Sequence, residues 1–399
     1  MHRELISRRR LLCAGGALLL QTSDKWAFGQ TPAPNRPASG QRGVTLIKEI
    51  KNAGLLDVSG DSRKLCLYFS RRPVRSFRWQ GEWKENTSRV RNGEDALRVL
   101  DTNTWTAVYA MRLPALPFGA SFFRDGEDLY VYVPGVAGGA TDHVLVNLQR
   151  GTAEERLERP GKEGLNFSYW ALDDRMFLGG GRNSVVNRTE VLIKAEAPEY
   201  NEVARVPFAE RRGPPDSSRE APITVAADRR TFVYAHDSNL VCRSAQSLET
   251  LWTRAGDPAL KFWRVGISAD GAVVAAAAAD TVWVGGSVKH YVGIFSGHDG
   301  KELTRLPALG VEGVAISPDG KILAAGQRVP LQGKKSGTQP TVTLFDMASG
   351  KELATLIHDQ FYGGGGEFLY AGVTTMFSPD GRYLITSGLN TKIWQIAGA

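Results

Sequence analysis

The sequence predicts an all-β fold: a seven-bladed β-propeller of four-stranded antiparallel blades, closed by an N-terminal strand in the last blade. Three observations lead to this prediction. An aspartate-centred hairpin motif recurs seven times, a second turn motif follows several of these hairpins, and the two ends of the repeat region carry complementary parts of one further blade. Such repetition, with four strands in each repeat, is typical of propellers.

The hairpin motif is clearest as Ser-Pro-Asp-Gly at 317–320 and 378–381, each between two segments of alternating apolar residues. Proline presets φ at the first turn position, and aspartate and glycine tolerate the corner that follows. The shortest interval between successive motif aspartates matches a blade of about 40–45 residues, and the longer intervals contain insertions. The seven aspartates are Asp61, Asp125, Asp174, Asp228, Asp270, Asp319 and Asp380.

A second motif follows the hairpins and supplies the other two strands of a blade. It is clearest at 342–353, where a strand pattern, an Asp-Met-Ala-Ser-Gly-Lys turn and the start of another strand succeed one another. Related segments lie at 292–303 and 97–105. Their β-branched and aromatic residues favour strands. Two hairpins per repeat therefore predict four strands per blade.

The ends of the repeat region predict how the ring closes. The last repeat begins near Gly372 and ends at 391–396, which aligns with the third strand of the other repeats. The segment 44–50 precedes the first complete repeat and aligns with the fourth strand at 353–357. We predict that 44–50 completes blade seven beside 391–396, because an unpaired edge strand would otherwise invite aggregation.

The Ser-Pro-Asp-Gly hairpin and the Asp-x-x-Ser-Gly-Lys turn at 346–351 resemble those of bacterial exported WD40-like, YVTN-type seven-bladed propellers of the quinoprotein amine dehydrogenase-like superfamily. The resemblance covers roughly 43–397, and blades five to seven match best. The Gly-His and Trp-Asp pairs of eukaryotic WD40 repeats are mostly absent, which weakens transfer of their scaffold role. Lactonase-like propellers share the hairpin, so the resemblance implies a fold and leaves the function open.

The segment 1–29 has the anatomy of a secretory leader. The run Ser-Arg-Arg-Arg-Leu-Leu at 7–12 resembles the twin-arginine export motif, an apolar stretch occupies 11–20, and a small-x-small cleavage signal ends at Gly29. An ordinary general-secretion leader is the alternative. We expect a signal peptide at 1–29, a flexible Pro- and Gly-rich linker at 30–42 and the propeller at 43–399. The expected location is periplasmic or secreted.

The charge and composition of the chain limit the classes of binding partner that we expect. The net charge is +7, and the leader carries five basic and two acidic residues, so the mature chain is only mildly basic and predicts no nucleic-acid partner. No later apolar stretch approaches the length of a membrane span, so we expect no transmembrane anchor. Cys66 and Cys242 fall in blades one and four, so we expect two buried, unpaired thiols. We also expect a monomeric protein.

Loop lengths distinguish the two faces of the predicted ring. Turns after the first and third strands of each blade are short, whereas second-to-third-strand loops and blade crossovers, which lie on the other face, carry the insertions. The predicted insertions are 70–96, 207–221, 325–340 and 358–371. Loops on a rigid scaffold commonly carry binding residues. Blades six, seven and one are neighbours, so three insertions share one sector.

The candidate ligand-binding residues come from two of these insertions. Interleaved arginine and tryptophan suit anionic or planar ligands, through forked hydrogen bonds and stacking. A solvated basic loop with tryptophans covering the blade edge is the alternative. The second insertion contains four consecutive glycines, which suggest a hinge or close approach to a ligand, or a mobile loop anchored by aromatics. The residues are Arg71, Arg72, Arg75, Arg78, Trp79, Trp83, His358, Asp359, Tyr362, Glu367 and Tyr370.

The sequence assigns no catalytic residue, no metal site and no cofactor. It lacks a Gly-x-Ser-x-Gly elbow and an adjacent nucleophile–base signature, and no two of the later histidines have metal-ligand spacing. Convergence of imidazoles from different blades at the channel mouth is the open alternative. These histidines are His143, His236, His290, His298 and His358, of which His298 lies in a short turn on the opposite face and is expected to be solvated.

Three functions compete. The first is a non-enzymatic module that recognises a protein, peptide or glycan through its loop-rich face, since arginine and aromatic residues are enriched at binding hot spots. The second is a periplasmic enzyme or subunit, either a lactonase-like hydrolase or a dehydrogenase-associated propeller. The third is a structural propeller in an envelope assembly. A stoichiometric metal ion lost with His358→Ala would favour the enzyme.

Overall fold

The computed structural model describes fourteen segments of the chain: 43–69, 96–112, 120–125, 127–134, 143–156, 165–172, 176–183, 188–196, 201–207, 223–236, 238–280, 290–330, 338–359 and 373–396. The predicted leader, at 1–29, and the predicted linker lie outside them. The regular elements of these segments are β-strands, arranged in seven four-stranded antiparallel sheets. None of the described segments contains a helix long and apolar enough to cross a membrane.

Each sheet is a blade, and its strands follow one another in sequence, except in blade seven, where the first strand of the chain is the outermost. The strands are, in blade one, β2 (Ala53–Val58), β3 (Lys64–Phe69), β4 (Ala96–Asp101) and β5 (Ala107–Arg112); in blade two, β6 (Ser121–Asp125), β7 (Asp128–Pro134), β8 (His143–Asn147) and β9 (Thr152–Arg156); in blade three, β10 (Leu165–Ala171), β11 (Met176–Asn183), β12 (Arg188–Glu196) and β13 (Asn201–Pro207).

The remaining strands are, in blade four, β14 (Ile223–Val225), β15 (Thr231–His236), β16 (Asn239–Ser244) and β17 (Thr250–Ala255); in blade five, β18 (Leu260–Ile267), β19 (Val273–Asp280), β20 (His290–Ser296) and β21 (Glu302–Pro307); in blade six, β22 (Gly313–Ile316), β23 (Ile322–Pro330), β24 (Thr338–Asp346) and β25 (Glu352–Ile357); in blade seven, β26 (Thr374–Phe377), β27 (Tyr383–Ser387), β28 (Thr391–Ile396) and β1 (Val44–Ile50).

The ring closes as predicted. Strand β1 pairs antiparallel with β28, from Val44 opposite Ile396 to Ile50 opposite Thr391. The first strand of each blade contacts the first or second strand of the next, and β2 of blade one contacts β27 and β28 of blade seven. The seven sheets therefore form a closed β-propeller, and no blade is left without its fourth strand.

Four of the seven aspartate-centred turns share one hydrogen-bond pattern. Between β22 and β23, Ser317 Oγ donates to Asp319 Oδ1 (2.6 Å) and accepts the N–H of Ile322 (2.9 Å). Gly320 then adopts a φ of +72°, which only glycine reaches without strain. The serine and aspartate therefore hold the turn itself. The same serine-to-aspartate bond occurs in blades one, five and seven, as Ser59–Asp61, Ser268–Asp270 and Ser378–Asp380.

The core lies in the seams between blades. Strand β19 shows how one strand serves two seams: Ala276 and Ala278 pack towards blade four against Val233, whereas Ala275 and Ala277 pack towards blade six against Val314. Side chains of a strand alternate between its two faces, so a strand inside a propeller is apolar on both. Small alanines let neighbouring sheets approach closely at this point.

The outer strands carry a repeated irregularity. In six of the seven blades the outermost pair shifts register, and the extra residue is a solvent-exposed aliphatic side chain. A bulge interrupts the row of unpaired N–H and C=O groups and increases the local twist. These bulges therefore make the rim a poor template for pairing with another chain. The bulged residues are Ile47, Val108, Val203, Leu251, Leu303 and Leu353.

The two faces of the ring differ in the length of chain between strands. Because the blades are antiparallel meanders, turns after first and third strands share one face, and these contain at most five residues. We call this the short-turn face. The other, loop-rich face takes second-to-third-strand links and crossovers. The longest of these include 70–95, between β3 and β4, and 358–373, between β25 and β26.

One predicted insertion is smaller than expected. The sequence analysis placed an insertion at 325–340, but β23 continues to Pro330 and β24 begins at Thr338. The two strands pair over this whole extension, from Ile322 opposite Asp346 to Pro330 opposite Thr338. The prediction was wrong because two long paired strands were read as a loop, and only 331–337 separate them. The insertions at 70–96, 207–221 and 358–371 fall mostly outside the described residues.

Candidate functional site

Two of the predicted site residues lie in the described part of the loop-rich face, where the chain leaves β25 towards blade seven. They are His358 and Asp359. His358 meets Thr386 of blade seven, and Asp359 meets Asn390, which also binds strand β1 where the ring closes. We call this group the closure corner; its members are Glu49, Asn52, His358, Asp359, Thr386, Asn390 and Lys392. The other predicted site residues, Arg71, Arg72, Arg75, Arg78, Trp79, Trp83, Tyr362, Glu367 and Tyr370, lie outside the described residues.

Asn390 is the centre of the closure corner. It precedes β28 and is only 8% exposed. Its Oδ1 accepts the N–H of Asn52 (3.0 Å), and its Nδ2 donates to Glu49 Oε1 (3.0 Å) and Asp359 Oδ2 (2.7 Å). These partners fix the orientation of the Asn390 amide, because the flipped orientation would turn the amide oxygen towards two carboxylates. One side chain thus joins strand β1, the link after it and the crossover before blade seven.

His358 fills the seam between blades six and seven. It is 1% exposed, and its backbone N–H donates to the carbonyl of Pro340 (3.0 Å). Its ring atom Nε2 shares a hydrogen bond with Thr386 Oγ1 (2.7 Å). Trp394 Nε1 donates to the same oxygen (2.8 Å). Burial, followed by the positive charge of Lys392, lowers the pKa of His358 to about 3, although Asp359 partly offsets both effects. The imidazole is therefore neutral at physiological pH.

The Nδ1 atom of His358 has no hydrogen-bond partner in the described segments. It lies next to Gly388, where an added Cβ would be 3.4 Å away. The imidazole is enclosed and its Nε2 is hydrogen-bonded to Thr386. His358 therefore positions the start of the crossover from inside the seam. It does not present a free imidazole to solvent.

Lys392 and Asp359 set the charge of the closure corner. The Lys392 side chain is buried, its Nζ donates to the carbonyl of Ile357 (3.2 Å), and it lies 3.8 Å from Asp359 Oδ2. The Asp359 side chain is 39% exposed, and Glu49 is also exposed. Two accessible carboxylates thus accompany one buried ammonium. On solvent-accessible surface such a group can accept hydrogen bonds from donor groups of a partner.

A second buried polar group lies at the loop-rich end of the seam between blades five and six. Arg328, near the end of β23, pairs with Glu312, and their side chains are only 6% and 10% exposed. Arg264 in β18 donates from Nε to the Glu312 carbonyl (2.8 Å), and its guanidinium lies 3.9 Å from the Glu312 carboxylate. This triad carries one net positive charge and fixes the start of β22 against blade five.

Asp57 joins blades one and two on the inner side of the ring. Its Oδ2 accepts the N–H of Phe122 (2.8 Å) and its Oδ1 that of Val58 (2.8 Å). Although the residue keeps some exposed surface, burial of the carboxyl raises its pKa to about 7, and the two N–H donors oppose that rise. Cys66 lies opposite Asp57 on β3. Burial and the nearby carboxylate raise the pKa of the Cys66 thiol, so it is a packing residue.

The histidines and cysteines behave largely as the sequence indicated. Cys66 and Cys242 are buried free thiols, as predicted. His298 is exposed in the turn between β20 and β21, also as predicted. His143, His236 and His290 stand at strand ends on the loop-rich face, each in a different blade. Within the fourteen described segments, no three His, Cys, Asp or Glu side chains come together as a metal site.

Sequence reasoning missed most of the closure corner and the whole triad. Thr386, Asn390 and Lys392 read as ordinary strand and turn residues, and their partners lie at the other end of the chain or in another blade. One signal for the triad was available. Arg328 follows a run of small and apolar residues in a segment that reads as a buried strand, and a charged residue in such a strand requires a partner.

Comparison with known proteins supports the fold and no closer relationship. No protein-family model matches the sequence, and no curated protein matches it. Among solved structures, a chain of hydrazine synthase from Kuenenia stuttgartiensis is 16% identical, with a TM-score of 0.55 over 88% of this chain and 97% of the other. The β-propeller domain of Cps50 (Swd1) from Myceliophteria thermophila is 11% identical, with a TM-score of 0.53 over 88% and 99%.

A chain of a mitotic checkpoint complex is 12% identical, with a TM-score of 0.51 over 95% of this chain and 99% of the other. At such low identity these similarities concern the arrangement of the backbone alone. They agree with the closed ring of four-stranded sheets, and this chain spans almost the full length of each of these structures. The fold is thus a β-propeller of the kind that the repeats predicted.

Proposed function

We propose that this chain is an exported β-propeller that binds a protein, peptide or glycan through its loop-rich face. The observation that carries the proposal is the difference between the two faces: links as long as 70–95 on one, and turns of at most five residues on the other. A chain that needed only a closed ring would have no reason to place its extra length on one side. Binding residues in other rigid scaffolds are distributed in the same one-sided way.

The closure corner supports the position of the site within that face. It holds His358 and Asp359 at the described start of the crossover, because Asn390 and Lys392 contact Asp359 and His358 bonds to Thr386. The long link after β3 belongs to the neighbouring blade one. Preorganised supports of this kind reduce the conformational entropy lost on binding. The predicted Arg75 and Arg78 would add donors suited to anionic groups of a partner.

The binding proposal can be tested with the mature chain and two charge-reversed variants. Arg75→Glu with Arg78→Glu alters the loop-rich face, whereas Lys321→Glu with Arg382→Glu alters the short-turn face at exposed positions. Affinity capture from envelope extracts and glycan arrays give the readout. We expect the first variant to lose the captured ligand and the second to keep it. Equal loss with both variants, or ligand retention by the first, would contradict the proposal.

Export is the second part of the proposal and rests on the leader-like residues alone. A twin-arginine leader delivers a folded protein across the inner membrane, and its arginines are read by a receptor. Replacing Arg8 and Arg9 by lysine should therefore leave the chain in the cytoplasmic fraction, while a Lys25→Ala control is still exported. Fractionation with immunodetection measures this. Unchanged export of the double variant would point to the general-secretion route instead.

A further inference from the structure

The closure corner brings together two segments that are far apart in the sequence. Strand β1 and the crossover before blade seven lie near opposite ends of the propeller sequence, yet both are bound by the Asn390 side chain. In the other blades the outer strand is continuous with its own hairpin, whereas β1 is joined to blade seven only by pairing and side-chain contacts. Blade seven therefore depends on pairing and side-chain contacts to keep β1 in place.

The link between β1 and β2 shows how tightly this point is built. It consists of Lys51 and Asn52 only, and Asn52 adopts a φ of +55°. Asparagine tolerates this left-handed conformation better than most residues, at some cost in energy. The N–H that Asn52 presents in this conformation is bound by Asn390 Oδ1 (3.0 Å). The amide of Asn390 thus stabilises a strained two-residue link at the start of the first complete blade.

The other side of the Asn390 amide holds two carboxylates. Glu49 belongs to β1 and Asp359 to the crossover, and both accept from the same Nδ2 atom. If Asp359 is removed, Asn390 loses the shorter of its two bonds to carboxylates and keeps the bond to Glu49. If Glu49 leaves, the same nitrogen keeps one partner. Each carboxylate therefore affects how firmly Asn390 holds the other segment.

We infer that Asn390 couples closure of the ring to the position of Asp359, at the start of the crossover, so that strand β1 and Asp359 are released together. The coupling follows from contacts within the chain and does not rest on the proposed function. Contacts that remain, such as the bond from Thr391 Oγ1 to the Ala53 carbonyl (2.8 Å), keep blade seven against blade one. The event is thus a local opening of the closing strand, with the ring otherwise intact.

Hydrogen–deuterium exchange of the full chain, followed peptide by peptide, tests the coupling. Asp359→Ala removes a contact of the crossover and should accelerate exchange within Val44–Ile50. Glu49→Ala removes a contact of β1 and should accelerate exchange at His358 and Asp359. Asn390→Ala should accelerate both segments, by roughly ten- to hundredfold, because it removes three hydrogen bonds, two of them to carboxylates.

Two controls separate coupling from general loosening. Asn239→Ala alters an asparagine at the start of the third strand of blade four, on the same face, and should leave both segments unchanged. Asn52→Gly keeps the N–H and suits the positive φ, so β1 should remain protected.

Acceleration confined to the segment that carries each substitution would overturn the inference. If Asn390→Ala fails to fold, as shown by loss of protection in Thr231–His236 and Leu260–Ile267, the two carboxylate variants decide alone. Glu49 and Asp359 are both partly exposed, so their truncation leaves the core intact.

Discussion

The short-turn face and the loop-rich face are built from the same strands but stabilised by different interactions. On the short-turn face, local bonds such as that from Ser317 to Asp319 recur in four blades, and ion pairs such as Lys321–Asp319 are at least partly exposed. On the loop-rich face, polar side chains reach across blade seams and several are buried, as in the pairs Arg328–Glu312 and His358–Thr386. The short-turn face thus has repeated bonds within its turns, together with contacts between blades such as that from the N–H of Asp380 to Ser62 Oγ (2.9 Å). The buried ion pair and the buried histidine lie on the loop-rich face.

This difference indicates which positions of the chain tolerate substitution. A turn whose serine–aspartate bond lies within its own hairpin can repeat from blade to blade. A buried contact between blades depends on two distant positions at once, so it fixes the base from which a long link departs. Variants within and between the two faces test this difference.

Glu312→Ala should have the largest effect, because it leaves Arg328 buried without its partner. We expect the free energy of unfolding to fall by about 3–5 kcal/mol. Lys321→Ala, which removes the exposed ion pair with Asp319 on the short-turn face, should cost less than about 1 kcal/mol. Urea denaturation followed by tryptophan fluorescence measures both. Similar losses in the two variants would remove the distinction between the faces.

The next largest effect should be on the pH dependence of stability, through the protonation of His358. The folded-state pKa is about 3, below the ordinary 6.5, so the unfolded chain binds one more proton between these values. The free energy of unfolding therefore falls as pH is lowered through this window, by up to about 1.4 kcal/mol per pH unit for one group. His358→Gln should flatten this slope, as measured by urea denaturation at several pH values.

His298→Gln is the matched control for that measurement, since its ring is exposed on the short-turn face. Asp57 contributes with the opposite sign. Its pKa is raised to about 7, so its stabilising contribution is present at low pH and is lost as pH rises from about 4 to 7. Both variants retain Asp57, so this contribution cancels in the comparison. Equal slopes for wild type and His358→Gln would show that His358 is not held neutral by the fold.

Ser317→Ala should have a smaller effect, of about 1–2 kcal/mol in the free energy of unfolding, because the buried N–H of Ile322 loses its acceptor. Ser349→Ala, in the exposed second turn of the same blade, should change stability by less than about 0.5 kcal/mol. Thermal or urea unfolding measures both. Equal effects would mean that the serine of the repeated motif does not hold the turn.

Gly320→Ala should have the smallest effect, about 1 kcal/mol, because the cost arises only from the positive φ. An added Cβ would lie 3.9 Å from the Ser268 side chain, so no clash contributes. The measurement is the shift in the urea midpoint relative to Lys321→Ala in the same turn. A loss of several kcal/mol would indicate packing at this turn that the account of the short-turn face does not include.

The sequence was informative where the structure is local or repeated. The aspartate-centred turns are each complete within a few residues, so their spacing predicted the blades, and the missing fourth strand after Ile396 predicted the role of β1. The burial of Cys66 and Cys242 followed from the same placement. Periodicity could not show the outer bulges: Leu353 belongs to an alternating strand pattern, yet it is exposed because one extra residue shifts the register.

The site was less predictable because its contacts cross blades. His358 and Asp359 were predicted as candidate ligand-binding residues of an insertion; in the structure His358 is enclosed in a seam and Asp359 is bound to Asn390. Nothing local distinguishes Asn390 from other turn asparagines, since Asn52 and Glu49 lie at the other end of the chain. The alanine run in β19 carries helix propensity, but packing on both faces of the strand outweighs it.

Site-specific photo-crosslinking in the producing cell compares the two faces most directly. A photoreactive residue is placed at Lys51 or Ala259 on the loop-rich face and at Ala348 or His298 on the short-turn face, all exposed positions. We expect crosslinked partners, detected by mass spectrometry, from Lys51 and Ala259 only. Crosslinking of the same yield from Ala348 and His298, or from these alone, would contradict the assignment of binding to the loop-rich face.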